Sequence, residues 1–331
     1  MKKIICILLC VLFLLPMSAC ATPKPVTREF YFMDTLITVT LYTTEQEAEP
    51  IFTQCRTILS ELDALWSRTK TESDTARLNA SEGGISDLDA RTVELIRIAT
   101  DVSKHTDGAF DITVSPLVTL WQTCADADRL PTEAELAAAL DAVSYDSLSM
   151  SAEGEILKEA GTAIDLGGIG KGAAISALMR YLEGTEVSGA LVSFGSNVAV
   201  LGEKPDGEPY RIGLRDPFGG TDYAGVLTLR EGEILSVSGD YERYHTIGGK
   251  RYHHIFDPAT GYPSDSGLST VAVICRDGAL ADALSTALFV MGEVRAMELY
   301  DANVYDFEAI FITSDGAVHT TGGIADRFTT E

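Results

Sequence analysis

Hydrophobic residues recur along this chain with two different periods. Ile37, Val39 and Leu41 alternate with polar residues, and this period of two predicts a half-buried strand. The same reasoning predicts strands at 190–194, 198–201, 211–215, 225–229, 234–238, 268–275 and 309–312. Apolar residues spaced three and four apart predict helices over 51–66, 93–102, 280–290 and 294–300. Strands and helices mix without strict alternation, so we predict an α+β fold in a single body.

Turn and capping signals separate these elements. Thr132 and Glu135 form a capping box that opens an alanine-rich helix. A hairpin turn at Glu153-Gly154 is predicted between short strands at 148–150 and 156–157. A second hairpin turn, Gly248-Gly249, leads into 251–256, and residues 67–87 are predicted to be a polar loop.

The N-terminus has the pattern of an export signal. Lys2 and Lys3 precede an apolar run over 4–15 that is short for a membrane-spanning helix. The small residues before Cys20 resemble a bacterial lipobox, in which Cys20 becomes the lipidated N-terminus; cleavage near Ala19 or Ala21 is the alternative. We therefore predict a signal peptide over 1–19, a lipid-anchored tether over 20–27 and one domain over 28–331. The expected location is the extracytoplasmic face of the cell membrane.

Charge and cysteine usage exclude several classes of protein. Removal of Lys2 and Lys3 with the signal leaves 23 basic and 49 acidic residues, a formal charge of −26. Such a chain repels nucleic acid, so we expect no nucleic-acid partner. Besides Cys20, the cysteines that remain after the signal are Cys55, Cys124 and Cys275, which form no C-x-x-C pair and argue against a disulfide framework or a zinc site.

A glycine-rich stretch over 163–172 is the strongest chemical signal. A predicted strand ends at Asp165, glycines and Lys171 follow, and an apolar helix begins at 173. Glycine lets the backbone approach a phosphate closely, and a helix N-terminus favours an anion. The hypothesis is that this turn holds the diphosphate of a nucleotide; a turn that only packs a helix on a strand stays open as the alternative.

Two common nucleotide motifs do not explain this stretch. A P-loop needs a glycine where Asp165 stands and a hydroxyl where Gly172 stands. The Rossmann pattern matches Gly168, Gly170 and Ala173, but no acidic residue closes the next strand at 190–194.

A possible metal site lies far along the chain. Asp282 and Thr286 are four residues apart on a predicted helix, which places them on one face. Mg²⁺ prefers oxygen ligands, usually one or two carboxylates together with substrate phosphates. A solvated helix face or a helix cap is the alternative for this pair.

Three further features have both a functional and a structural interpretation. His253 and His254 adjoin on one strand and point to opposite faces, so at most one of them serves as a general base. Residues 108–111 are either a ligand loop or a helix cap followed by a strand. From the pattern alone, Met33 is a core residue.

Six blocks of sequence, in order, resemble the ApbE-type FAD:protein FMN transferases, and the match runs from about Arg28 to the C-terminus. The blocks are 33–37, 108–111 with Pro116, Leu117 and Trp121, 165–172, 238–241, 254–258 with Thr260 and Gly261, and 281–287. The resemblance implies a magnesium enzyme that splits FAD and places FMN on a threonine hydroxyl of a partner, with release of AMP. The implied partners are exported or membrane-bound redox proteins. The implied fold is a single mixed α/β body, T-fold-like, with largely antiparallel or mixed sheets flanked by helices.

The resemblance also assigns roles to residues at the matching positions. His254 and Asp282 are the implied catalytic residues, with His254 transferring a proton. The implied magnesium ligands are Gly168 through its carbonyl, Asp282 and Thr286. The implied contacts to FAD, which is a substrate here, are Met33, Ala109, Phe110, Asp111, Asp165, Lys171, Phe256 and Ser285.

The chain departs from the family pattern at a few positions. Gly170 stands where alanine is common, and 195–197 reads Gly-Ser-Asn where Gly-Gly-Asn is frequent, which leaves the role of Asn197 open. Thr69 stands near the place of an aromatic residue beside adenine. Two rival functions are an FAD pyrophosphatase that yields FMN and AMP, and a flavin-binding lipoprotein without catalysis.

Overall fold

The structure is a computed structural model that describes residues 24–151 and 154–330. The predicted signal peptide, Cys20 and Glu153 lie outside the described residues. Sixteen strands are present in the described part: β1 Pro25–Phe32, β2 Thr35–Tyr42, β3 Gly84–Ile85, β4 Leu148–Met150, β5 Ile156–Lys158, β6 Gly189–Phe194, β7 Asn197–Gly202, β8 Tyr210–Arg215, β9 Tyr223–Leu229, β10 Ile234–Gly239, β11 Tyr244–Ile247, β12 Lys250–His253, β13 Leu268–Cys275, β14 Glu308–Thr313, β15 Val318–Thr320 and β16 Phe328–Thr330.

Seven α-helices accompany these strands in the described part. They are α1 Glu45–Trp66, α2 Asp74–Ala80, α3 Ala90–His105, α4 Ser115–Asp126, α5 Glu133–Leu140, α6 Gly170–Glu183 and α7 Gly278–Asp301. None of the helices within 24–151 and 154–330 combines the length and hydropathy of a membrane-spanning segment.

An eight-stranded antiparallel sheet with strand order β1-β2-β6-β7-β10-β13-β14-β15 forms the centre of the fold. Three small antiparallel sheets flank it, with orders β16-β9-β8, β3-β5-β4 and β11-β12. The mixed α+β class predicted from the sequence is therefore confirmed. The two predicted hairpins, β4–β5 and β11–β12, also pair as expected.

Strand β13 shows how one sheet separates two cores. All eight of its residues are buried, as expected for a strand covered on both faces. Val271 and Val273 face the larger core, which α1, α6 and α7 cover, while Ala272 and Ile274 face a smaller core beneath β8 and β9. Successive side chains of the strand point to opposite faces of the sheet, so β13 contributes residues to both cores.

Three sequence predictions need correction. The polar loop predicted over 67–87 contains α2 and β3, because the Ser73 hydroxyl caps α2 at the Ala76 amide and Leu78 is buried. The tether predicted over 20–27 overlaps β1, so residues 25–27 belong to the sheet. The two helices predicted at 280–290 and 294–300 are confirmed as the two segments of α7, which meet at the non-helical residue Gly292 with φ of 75°.

The third correction concerns the segment before the glycine turn, which is not a strand. The side chain of Asn79 makes two hydrogen bonds to the backbone of Ile164. Its Nδ2 donates to the Ile164 carbonyl at 2.9 Å, and its Oδ1 accepts from the Ile164 N–H at 2.7 Å. The amide of Asp165 donates to the carbonyl of Ile112 at 2.7 Å. A side chain and a loop satisfy these backbone groups in place of a neighbouring strand.

Candidate functional site

The N-terminal ends of α6 and α7 meet, and this contact joins the glycine turn to the Asp282 helix. The amide of Gly172 donates to Oδ2 of Asp282 at 3.0 Å, and the Lys171 ammonium lies 3.4 Å from both carboxylate oxygens. A Cβ on Gly172 would lie 1.9 Å from the carbonyl oxygen of Gly278. Only glycine therefore permits this approach, which brings the two predicted halves of the site together.

Polar contacts hold the glycine turn in place. Oδ1 of Asp165 accepts from the Gly167 amide at 2.7 Å, and its Oδ2 lies 3.3 Å from Nε of Arg68. Lys171 donates to the carbonyl of Gly167 at 3.3 Å. Asp165 thus closes the turn, and Lys171 lies between the turn and Asp282.

Gly168 faces Thr286, a second predicted metal ligand, and the loop at 108–111. The position of a Cβ on Gly168 lies 3.1 Å from the ring of Phe110 and 3.9 Å from Oγ1 of Thr286. Asp282 and Thr286 share a face of α7, as predicted. The structure therefore gathers Gly168, Asp282 and Thr286 in one oxygen-rich region.

A cluster of buried hydroxyl groups supports Asp282. Ser236 donates to its Oδ1 at 3.0 Å, and Ser285 donates to its backbone carbonyl at 2.9 Å. Ser238 lies 2.8 Å from the Ser285 hydroxyl and 3.3 Å from that of Thr286. Ser285, a predicted FAD contact, is fully buried within this cluster.

The loop after α3 packs against the glycine turn through Phe110. Ala109 and Phe110 are both buried, and Asp111 begins a 3-10 helix over Ile112–Val114 that replaces the strand considered for this segment. Oδ1 of Asp111 accepts from the amide and the hydroxyl of Thr113, each at 2.7 Å. Burial raises the pKa of Asp111 above its ordinary value, and these hydrogen bonds oppose that rise.

Met33 enters the site from a backbone turn that non-glycine residues seldom adopt. Met33 and Asp34 join β1 to β2, both with φ of 52°. The Met33 amide donates to Oδ1 of Asp63 at 3.2 Å, and Arg243 donates to the Asp34 carbonyl and the Thr35 hydroxyl at 3.3 and 3.1 Å. The methyl group of Met33 lies beside Gly170, 3.4 Å from the position of a Cβ there.

His254 is held as a neutral base. Its Nδ1 lies 3.0 Å from the carbonyl oxygen of Arg243, and a carbonyl only accepts, so Nδ1 carries the proton and the Nε2 lone pair stays free. Part of the His254 side chain is exposed to solvent, but protein atoms surround most of its imidazole ring and reduce its hydration. This burial, together with the charges of Lys171 and Arg243, lowers the pKa of His254 to about 4.

His253 and Phe256 point to other neighbours. Nε2 of His253 lies 3.0 Å from the Ser264 carbonyl, so this histidine is bonded to the backbone. The ring of Phe256, a predicted FAD contact, stacks on Trp121 with 5.6 Å between the ring centroids. The structure joins Phe256 to the site only through its place in the chain, two residues after His254.

Several residues of this site escaped the sequence reasoning. Arg68, Arg243 and Ser236 contact the predicted site residues Asp165, His254 and Asp282, but they belong to no motif in the residue pattern. A usable signal was present for Ser236 and Ser238, because two hydroxyl residues alternate within an otherwise apolar strand and so share one face.

The fold and this oxygen-rich, amide-lined site define a class of phosphate-handling enzyme, and comparison identifies the family. The model of the ApbE family matches residues 33–311. The chain therefore belongs to the ApbE family of flavin transferases, and the resemblance seen in the sequence is confirmed.

Individual relatives agree with this assignment. The FAD:protein FMN transferase of Klebsiella pneumoniae (strain 342) is 33% identical over 265 residues, covering 78% of this chain and 80% of that protein. The FAD:protein FMN transferase of Vibrio cholerae serotype O1 is 30% identical, covering 84% and 86% of the two chains. The crystal structure of the ApbE protein from Thermotoga maritima superposes with a TM-score of 0.82 at 29% identity, covering 91% and 98%.

Proposed function

We propose that this protein transfers FMN from FAD to a threonine hydroxyl of an exported or membrane-bound redox protein, with Mg²⁺ bound and AMP released. The observation that carries the proposal is the contact of the glycine turn with Asp282 and Thr286 across the α6–α7 crossing. The names of the relatives support flavin transfer from FAD to a protein. The threonine acceptor, Mg²⁺ and the release of AMP are what the family resemblance of the sequence implies.

The donor set of the site fits a hard divalent cation. Carboxylate, hydroxyl and carbonyl oxygens are available from Asp282, Thr286 and Gly168. In the described part of the chain, no group of three or more His, Cys, Asp or Glu residues offers a rival metal site. Mg²⁺ is commonly held by few protein oxygens and completed by substrate phosphates. When bound, it would neutralise charge on the FAD diphosphate.

The residues of the chain have distinct roles in this proposal. Lys171 and the amides at the N-terminus of α6 bind and orient the diphosphate, since a helix N-terminus favours an anion. Met33 and Phe110, on either side of the glycine turn, offer apolar surface to the nucleotide. The predicted contacts from Ala109, Asp111, Asp165, Phe256 and Ser285 belong to the same proposal.

His254 supplies the base for the chemical step. Its free Nε2 takes the proton from the acceptor threonine as the threonine oxygen attacks the FMN-side phosphorus. A bond forms between that oxygen and phosphorus, the phosphorus–oxygen bond to AMP breaks, and AMP leaves. A positioned base of this kind contributes about 10²–10⁴-fold to the rate.

We further propose that Cys20 carries lipid and holds the domain at the extracytoplasmic face of the cell membrane. The support is the sequence of the N-terminal 20 residues and the acidic balance of the rest of the chain. Growth in the presence of labelled palmitate tests it: label that is lost in a Cys20→Ser variant is expected, and equal label in that variant would contradict lipidation.

Intact mass of an acceptor protein tests the central proposal. The full chain is incubated with FAD, Mg²⁺ and an exported redox protein, and we expect the acceptor to gain the mass of one FMN moiety. Asp282→Ala should abolish the gain at limiting Mg²⁺, whereas Glu298→Ala, an exposed carboxylate on the same helix, should not change it. Unchanged transfer by Asp282→Ala would remove Asp282 from the metal site.

The same assay separates the rival functions. An FAD pyrophosphatase releases free FMN and AMP while the acceptor mass stays constant. A flavin-binding protein without catalysis leaves FAD intact after long incubation with Mg²⁺. Either result, obtained with an acceptor that a relative from Klebsiella or Vibrio does label, would reject transfer by this chain.

A further inference from the structure

Asn197 and Ser236 form a buried polar pair directly behind Asp282. Both residues are fully buried, Asn197 at the start of β7 and Ser236 on the neighbouring strand β10. Oγ of Ser236 lies 3.0 Å from Oδ1 of Asn197 and 3.0 Å from Oδ1 of Asp282. The amide nitrogen of Asn197 has no hydrogen-bond partner among the described residues.

In this arrangement two acceptor oxygens face one hydroxyl proton, while the N–H groups of Asn197 face no acceptor within the described part of the chain. The Ser236 hydroxyl has one proton, yet both the Asn197 oxygen and the Asp282 carboxylate would have to accept it. The Ser285 hydroxyl lies 3.3 Å from that of Ser236, but its proton goes to the carbonyl of Asp282 at 2.9 Å, so Ser285 does not relieve the shortage of donors. A buried N–H group without a partner is unfavourable, which favours the opposite orientation of the Asn197 amide.

The two ends of an amide have nearly the same shape, and hydrogen bonding decides which end faces a partner. We propose that Asn197 presents its NH₂ group to Ser236, so that Asn197 donates to Ser236 and Ser236 donates its only proton to Asp282. The Ser236 proton then has a single acceptor, Asp282, and the end of the Asn197 amide without a partner is its oxygen, which is tolerated better than an unpaired N–H group. Asn197 and Ser236 become positioning residues for the carboxylate of Asp282.

The consequence is a carboxylate fixed from both sides. The Gly172 amide holds Oδ2 at 3.0 Å and Ser236 holds Oδ1 at 3.0 Å, so the carboxylate plane cannot rotate freely. This inference rests on the proposed function, in which Asp282 binds Mg²⁺. Removal of groups that orient a metal ligand typically weakens metal binding 10–100-fold.

Calorimetric titration with Mg²⁺, using the full chain and no nucleotide, tests the relay. We expect Ser236→Ala to weaken Mg²⁺ binding about 10–100-fold. Asn197→Ala should weaken it in the same direction, because Ser236 then loses the donor that directs its proton toward Asp282. The double variant should bind Mg²⁺ no more weakly than Ser236→Ala, because Asn197 acts only through Ser236.

The direction of the Asn197 effect is diagnostic. If the amide oxygen faces Ser236, Asn197→Ala frees the hydroxyl proton for Asp282, and Mg²⁺ binding stays equal or becomes tighter; that result overturns the proposal. Additive losses in the double variant overturn it as well. Binding of FAD in the presence of EDTA, followed by flavin fluorescence, should be the same in all variants, whereas a general structural defect would weaken it.

Two controls keep the test decisive. Ser103→Ala removes a fully buried hydroxyl that bonds only within α3, to the Ala99 carbonyl at 2.9 Å, and should leave Mg²⁺ binding unchanged. If Asn197→Ala does not fold, Asn197→Leu fills the same volume without a donor and makes the same prediction. An unaltered protein that binds no Mg²⁺ would overturn the metal site itself, whereas normal Mg²⁺ binding by every variant would overturn this relay alone.

Discussion

Gly172 determines how closely α6 and α7 approach, and its replacement by alanine tests the whole arrangement of the site. Alanine is normally better than glycine within a helix by roughly 0.5–1 kcal/mol. Here the new Cβ would lie 1.9 Å from the Gly278 carbonyl oxygen and 2.7 Å from Cβ of Asp282. We therefore expect Gly172→Ala to destabilise the protein, the opposite of the general preference.

The size of the effect follows from the geometry. Carbon and oxygen normally approach no closer than about 3.3 Å, so the helix ends must separate by more than about 1 Å. The separation would stretch the bond from the Gly172 amide to Asp282, now 3.0 Å, beyond hydrogen-bonding range. Overpacking of this kind costs about 1–3 kcal/mol, and the loosened carboxylate should weaken Mg²⁺ binding about 10-fold or more.

Urea unfolding and Mg²⁺ titration measure the two effects separately. Gly170→Ala is the matched control for stability, because it lies two residues away in the same helix and its Cβ would meet only side chains, at 3.4 and 3.8 Å. We expect Gly170→Ala to be neutral or stabilising by up to about 1 kcal/mol. A Gly172→Ala protein as stable as this control, with unchanged Mg²⁺ affinity, would refute the close crossing as the basis of the site.

Three further predictions concern the charged groups. His254→Gln should slow FMN transfer about 10²–10⁴-fold while FAD binding persists, and an equal rate in the variant would exclude His254 as the base. In the unaltered enzyme, the rate of transfer should fall only as the pH drops toward 4, where His254 becomes protonated. Since the folded pKa of His254 lies below the ordinary 6.5, the unfolded chain binds this proton more tightly, so stability should fall as the pH drops from about 6.5 toward 4. Urea unfolding at several pH values should show a shallower fall for His254→Gln, and an identical fall would contradict the lowered pKa. Lys171→Met should weaken FAD binding and reduce its dependence on salt, measured by flavin fluorescence at two ionic strengths, while equal salt dependence would place Lys171 away from the diphosphate.

The fold was predictable where one face of an element is buried and the other is not. Strand β2 and helix α1 show the clear periods of such elements, and both form where the sequence predicts them. Prediction failed where a side chain takes over backbone hydrogen bonds. The segment at Ile164 has the apolar composition of a strand, but its pairing partner is the amide of Asn79, 85 residues away in sequence, and no local pattern reveals that contact.

The sequence predicts the separate components of the site, but not which of them lie close together. The sequence indicates a glycine turn and an Asp–Thr pair as separate features, and each alone has an ordinary structural explanation. Arg243 illustrates the limit: it lies between β10 and β11, yet it donates to Asp34 and Thr35, more than 200 residues earlier. Such contacts depend on the assembled sheet order, which local periodicity does not determine.

The crossing of α6 and α7 explains why these distant residues form one site. Gly172 and Gly278 lack side chains at the contact, so the Gly172 amide reaches a carboxylate that a larger residue would keep out of range. The same approach places Lys171 beside Asp282, where the ammonium group and the carboxylate partly neutralise each other. An arriving diphosphate and divalent cation would each compete for one member of this pair, so we infer that the two bind more favourably together than either does alone. Tighter Mg²⁺ binding in the presence of ADP than in its absence, reduced in Lys171→Met, is the expected result; independent binding of Mg²⁺ and ADP would show that the pair does not couple the two.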